Sequence, residues 1–249
     1  MDRRIMQMRD LFKMRAHLGW AHVLLSRARR LAGPNACKIQ QILDCAIKRM
    51  DEHTQRRATL FDAKYGTETL GRRWVKTSHD ANDAPVWGYS AVNQDFFREI
   101  MRSIPQPLSR YAFVDIGSGK GAAVLMASEF GFRRLVGVEL TGELVDIARR
   151  NTDIFNRKTG GTVAPDWVHM DFFKWQIPSE PQLFFFNNPF PQALTVEALA
   201  ALERSLSLQP HPALLVFRKA PSAAGDYLDK SRFWKPVRLA PYWRVYSKE

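Results

Sequence analysis

From residue 111 onward the chain alternates short apolar runs with segments of helical period. This alternation restricts it to a parallel sheet covered by helices on both faces. Strands are predicted at Tyr111 to Ile116, Arg134 to Glu139, Trp167 to Met170, Leu183 to Phe186 and Ala213 to Arg218. Helices are predicted at Phe96 to Ile104, Ala122 to Phe130, Gly142 to Asn151 and Thr195 to Ser205. Two further apolar runs, Phe233 to Leu239 and Tyr242 to Ser247, are joined by the short Ala240-Pro241 link, which predicts a terminal hairpin with at least one antiparallel strand. The expected fold class is α/β, a doubly wound and mostly parallel sheet of seven strands.

The region before this half reads differently. Leu11, Met14, Leu18, Ala21 and Leu25 recur at three-four spacing, with arginines and lysines between and beyond them. Gly33-Pro34-Asn35 stops that helix, and a second period runs from Ile39 through Ile42, Leu43, Ala46 and Met50. Asp62 to Val86 loses the period and collects Gly66, Gly71, Asn82 and Pro85, so it is expected to be an arm wrapping the next domain. Two parts are therefore expected: a helical extension with its arm over residues 1–86, and an α/β domain over residues 87–249.

The formal charge of +12 favours an acidic partner, an acidic protein or a nucleic acid, reached through the basic N-terminal helices. Arginine-rich helices are also ordinary solvated faces. No run approaches the ~20 consecutive apolar residues that span a bilayer, so no transmembrane segment is expected. The N-terminus, with Asp2, Asp10 and several arginines, is unlike a secretory signal. Cys37 and Cys45, eight apart in a helix-like stretch, suit reduced thiols in the cytoplasm better than a disulfide framework. The histidines, His17, His22, His53, His79, His169 and His211, are scattered, none sits with cysteines or acids at ligand spacing, and no metal site is expected.

The first strand runs into a glycine-rich turn, Phe113-Val-Asp-Ile-Gly-Ser-Gly-Lys-Gly121. A nucleotide triphosphate loop needs four residues before Gly-Lys and a following Ser or Thr for magnesium, whereas Gly119-Lys120 is followed by Gly121. A dinucleotide loop spaces its glycines G-x-G-x-x-G, whereas Gly117, Gly119 and Gly121 are spaced G-x-G-x-G. Both readings are disfavoured. The stretch Val114 to Gly121 resembles motif I of the class I S-adenosylmethionine-dependent methyltransferases. That resemblance, which covers about Trp87 to Glu249, implies that Gly117, Ser118, Gly119 and Gly121 meet the amino-acid end of the cofactor, with Asp115 closing the strand. It also implies that Glu139, followed by Leu140, accepts the ribose hydroxyls. Asp171 then receives the adenine amino group, and Phe172 covers the ring.

At the fourth strand, Asn187-Asn188-Pro189-Phe190 resembles the Asn/Asp-Pro-Pro-Tyr/Phe motif of amino-group methyltransferases, with Asn188 where the first proline stands. In-line transfer to nitrogen needs an aimed lone pair, which an amide oxygen can orient by accepting the amine's N–H bonds. Asn187 or Asn188 would be that acceptor, with Pro189 shaping the turn, Phe190 as the platform, and Asn187 also near the cofactor. The Asn-Asn pair, together with Tyr89-Ser90 before a helix, resembles the seven-strand histone-lysine methyltransferases that lack a SET domain, which implies a lysine acceptor flanked by Tyr89. A nucleic-acid base amine, a small amine, and a noncatalytic cofactor-binding module remain as alternatives.

Residues 1–31 carry eight basic side chains against Asp2 and Asp10. Deleting them should leave cofactor binding nearly intact while slowing methylation of a macromolecular substrate, and added salt should mimic the deletion. A methyl-transfer assay over a salt series checks this; a truncated chain that unfolds altogether would make the helix a core element instead.

Overall fold

The computed structural model describes residues 60–70, 74–75, 87–88, 91–105, 107–190, 192–218, 222–240 and 243–248. The chain divides into two compact units, Met1–Arg56 and Arg57–Glu249, and every described residue lies in the second. The two N-terminal helices and Tyr89 lie outside the described residues.

Seven strands form one sheet: β1 (Ala112–Ile116), β2 (Arg134–Glu139), β3 (Asp166–His169), β4 (Gln182–Asn187), β5 (Ala213–Arg218), β6 (Lys235–Ala240) and β7 (Trp243–Lys248). Their order across the sheet is β3-β2-β1-β4-β5-β7-β6. The first five are parallel, whereas β7 runs antiparallel to both β5 and β6. Among the described residues, helical backbone at 60–65 precedes the sheet, and the helices that accompany it are α1 (Gln94–Arg102), α2 (Ala122–Ala127), α3 (Gly142–Thr159), α4 (Gln192–Leu208) and α5 (Ser222–Lys230). Trp74–Val75 and Trp87–Gly88 make a separate short antiparallel ribbon. Among the described residues no helix is long and apolar enough to cross a membrane.

The continuous apolar strands follow from burial on both faces. Along β4, Leu183 and Phe185 pack on one side with Phe113, Leu214, Val216 and Val245, beneath residues of α1 and α2. Phe184 and Phe186 pack on the other with Val114, Val138, Leu215 and Phe217, beneath α4 and α5. Each of these phenylalanines is fully buried, a gain of about 1.5–3 kcal/mol apiece. Phe61, and Tyr65 from the start of the stretch read as a connecting arm, belong to the first of these cores and pack on Phe155 of α3.

Three elements differ from expectation. The third helix runs eight residues past Asn151, because buried Asn151, Thr152 and Phe155 continue its inner face; Gly160, left-handed at φ 67°, ends it. Helix α5 was not anticipated. Asp115, expected to close its strand, is the penultimate residue of β1, with Ile116 paired beyond it.

Strand β2 passes close to the ring of Trp167 on β3. A Cβ on Gly137 would lie 2.3 Å from that ring. Gly137→Ala should destabilise the protein by about 1–3 kcal/mol through overpacking, seen as an earlier midpoint in urea unfolding at unchanged slope. An unchanged midpoint would mean that the indole moves aside freely.

Candidate active site

Strand order reverses between β1 and β4, so the loops leaving their carboxyl ends open a crevice where sheets of this kind bind ligands. After Ile116 the backbone turns under Val138 of β2, whose carbonyl accepts the N–H groups of Gly117 and Ser118 at 2.9 and 3.1 Å. Gly117 and Gly119 hold left-handed φ values of 73° and 54°, a region that side chains other than glycine's rarely enter. A Cβ on Gly117 would also sit 2.8 Å from Cβ of Pro189. The glycine loop of β1 and the Asn187–Phe190 turn of β4 are therefore in direct contact.

Glu139, the last residue of β2, is buried and accepts two backbone N–H groups: Gly119 at 2.8 Å and Thr141 at 2.9 Å. Burial pushes its carboxyl above the ordinary glutamate range, against the pull of those hydrogen bonds. Asp115 is only 3% exposed. Burial first, and then the charge of Glu139, push its carboxyl well above the usual range. On β3, His169 Nε2 donates to the carbonyl of Leu140 at 3.1 Å and ties the two strand ends together. Two residues on, Asp171 caps a short 3-10 turn by accepting from the Phe173 N–H at 3.0 Å. The buried ring of Phe172 lies 5.6 Å from that of Phe190. Asp115, the glycine loop, Glu139, Leu140, Asp171 and Phe172 thus leave the carboxyl ends of three neighbouring strands, and Asn187 to Phe190 leave the fourth.

Two participants were missed. Arg218 closes β5 opposite Asn187 in register, is buried, and donates from Nη1 to Oδ1 of Asn187; its guanidinium lies 5.2 Å from the centre of the Phe96 ring. A charged residue closing the apolar run Ala-Leu-Leu-Val-Phe-Arg was the available signal. Lys120, between two of the loop glycines, is buried and paired with Glu68. Asn188 is the only non-glycine residue with positive φ among the described residues, at 57°, a conformation in which asparagine is enriched.

Residues 84–171 match the family model described as histone methylation protein DOT1. That match covers 88 of the 249 residues. The chain's strand order and glycine loop agree with the class I S-adenosylmethionine-dependent methyltransferase fold. Compared with curated proteins, its sequence finds no significant match. Among solved structures it is similar to a magnesium protoporphyrin IX methyltransferase from Synechocystis PCC 6803 with bound SAM, at 14% identity and TM-score 0.44 over 62% of this chain and 77% of that one. A tRNA (uracil-54, C5)-methyltransferase of Pyrococcus abyssi is 16% identical at TM-score 0.44, covering 64% of this chain and 39% of that one. An RNA methyltransferase from Salinibacter ruber is 21% identical at TM-score 0.40, over 62% and 88%.

The residues of the crevice fit S-adenosylmethionine. Buried Asp115 Oδ1 and Ser118 Oγ have no hydrogen-bond partner within the protein, as expected of groups left for a ligand or its bridging water. The glycine loop presents backbone without side chains, and Glu139 supplies a carboxylate suited to a ribose diol.

Accepting ribose hydroxyls requires the ionised form of Glu139. Affinity for S-adenosylhomocysteine should therefore fall on acidification, starting above the ~4.3 of an ordinary glutamate. Stability should move the other way: carboxyls with raised values hold protons longer when folded than unfolded, so it falls as pH rises from the ordinary range through the raised one. Glu139→Gln should weaken binding roughly ten- to hundredfold and flatten the pH dependence, measured by calorimetry. Parent-like affinity in this variant would make Glu139 a purely structural link between loops.

Proposed function

We propose that the protein is an S-adenosylmethionine-dependent methyltransferase that acts on an amine, and that the amine is a lysine side chain of a protein. The observation that carries the reading is the contact between Gly117 and Pro189, which sets the Asn187–Phe190 turn against the loop assigned to the amino-acid end of the cofactor. The description of the matching family model, histone methylation, supports a protein acceptor. The reduced thiols expected of Cys37 and Cys45 suit a reaction in the cytoplasm.

When bound, S-adenosylmethionine supplies an electrophilic methyl group on a sulfonium. The chain's own residues have to deliver a neutral nitrogen in line with it. Asn187 Oδ1 already accepts from Arg218, and an amide oxygen has a second lone pair with which to accept an amine N–H. The guanidinium fixes that amide in one orientation, and its charge disfavours an acceptor arriving as a second cation. Asn188, held left-handed, sets the direction of the turn, and its amide is the other candidate acceptor. Phe190, half-buried against Phe172 and Phe173, offers an aromatic wall that tolerates the cationic product. Asp115, the glycine loop, Glu139, Leu140, Asp171 and Phe172 would hold the cofactor. The resemblance of Asn-Asn-Pro-Phe to the motif of amino-group methyltransferases keeps a nucleic-acid base amine or a small amine as the second reading.

Asn187→Ala and Asn188→Ala should each leave S-adenosylhomocysteine affinity within a few-fold of the parent, while one of them lowers turnover by about two orders of magnitude. Turnover on a lysine should rise with pH, because its amine is almost fully protonated near neutrality; a base amine, already neutral, should respond little. Core histones, total RNA and a panel of small amines, each with radiolabelled methyl donor, are the substrates to compare. Retention of full turnover by both variants would reduce the turn to a structural element. Labelling confined to RNA or to the small amines would exclude a protein acceptor.

A further inference from the structure

Lys120 lies between Gly119 and Gly121, within the cofactor loop, yet its side chain serves a distant segment. It is 4% exposed. Its ammonium donates to Oε1 of Glu68 at 2.7 Å and to the carbonyl of Leu70 at 2.7 Å. The backbone carbonyl of Lys120 accepts from Nδ2 of Asn151 on α3 at 3.0 Å, and the same asparagine pairs with the backbone of Glu68 through its oxygen at 2.7 Å and its nitrogen at 3.2 Å. Residues 66–70 are thus bound to the glycine loop twice, directly by the lysine and indirectly through Asn151.

That segment is built to be held as a unit. The carboxylate of Asp62 accepts from the hydroxyls of Thr67 and Thr69 and from the N–H groups of Thr69 and Leu70, all at 2.7–2.9 Å. Phe61 and Tyr65 anchor its beginning in the core. A buried ammonium is retained only where it is paired and hydrogen-bonded, and here both partners come from the segment. Glu68 belongs to the segment and Lys120 to the loop, so the pair forms only while the segment is docked; the side chain of Glu68 is itself 69% exposed. On the other side of the loop, the N–H of the adjacent Gly119 is taken by Glu139. The loop is fixed from two directions: by the ribose-binding acid and by the docked segment.

We infer that Lys120 is a positioning residue that couples docking of residues 66–70 to cofactor binding. The segment, when docked, holds the glycine loop in its binding form, and by reciprocity a bound cofactor must stabilise the docked segment. This rests on the assignment of the loop to the cofactor and is independent of which acceptor is methylated.

The test uses the full chain and S-adenosylhomocysteine as the probe, with Lys120→Met, Lys120→Arg and Glu68→Gln. Calorimetry should find about tenfold weaker binding for Lys120→Met, a smaller loss for Glu68→Gln, and recovery of most of the affinity in Lys120→Arg, which keeps charge and donors. Hydrogen exchange supplies the readout that a purely structural role would not move: the probe should slow exchange at Glu68, Thr69 and Leu70 in the parent and have little effect there in Lys120→Met. Should Lys120→Met fail to fold, Glu68→Gln decides on the same two measurements, because it neutralises the exposed partner and leaves the buried lysine its bond to the Leu70 carbonyl. Parent-like affinity together with probe-dependent protection in these variants would overturn the coupling. A parent chain that binds no probe at all would remove the cofactor assignment, and the coupling with it.

Discussion

The carboxylate of Glu139 is the constraint on which the rest of the crevice depends. Removed from water at the end of β2, it needs hydrogen bonds, and it takes them from Gly119 on one loop and Thr141 on another. The β1 loop can reach it only by bending through left-handed conformations at Gly117 and Gly119. That same bend brings the loop against Pro189. One buried charge thus links the strand that would hold a ribose to the turn that would meet an acceptor.

Asp115 adds a second buried acid, close enough for the charge of Glu139 to raise its affinity for protons. Arg218 sits at the corresponding end of β5, two strands from β1 in the sheet. From β2 to β5 the crevice therefore passes from carboxylates to a guanidinium, although the chain as a whole is strongly basic. Local placement, rather than net charge, sets the field in which a cationic sulfonium and an amine would meet.

Much of this architecture is legible in the sequence, for a physical reason. Strands buried on both faces must be apolar at nearly every position, so Leu183 to Phe186 and Ala213 to Phe217 stand out as blocks between polar turns. The acids and glycines at strand ends are legible as well, since each lies within a few residues of its strand. Helix α5 is not: Gly225 and the polar residues around it interrupt its apolar period, although Ala224 and Leu228 are buried in the core. The true length of α3 was hidden by Asn151-Thr152, which reads as a stop but serves as an inward-facing polar contact. Nor could local pattern reveal that Lys120 meets Glu68, 52 positions earlier, or that Arg218 meets Asn187, 31 positions earlier. Such pairs exist only once the sheet has brought distant strand ends together.

The order of strands also bears on how the chain is made. Strand β7 lies between β5 and β6, yet of the seven it is the last to be synthesised. While the ribosome works from Arg218 to Trp243, β5 has one side paired with β4 and the other bare, with the backbone groups of a strand that is apolar up to Arg218 open to any passing edge. At roughly 5–20 residues per second this interval lasts on the order of seconds, ample time for neighbouring nascent chains on one message to pair through that edge. For this protein, yield in a crowded cell should depend less on the strength of the finished core than on what shields β5 during that interval.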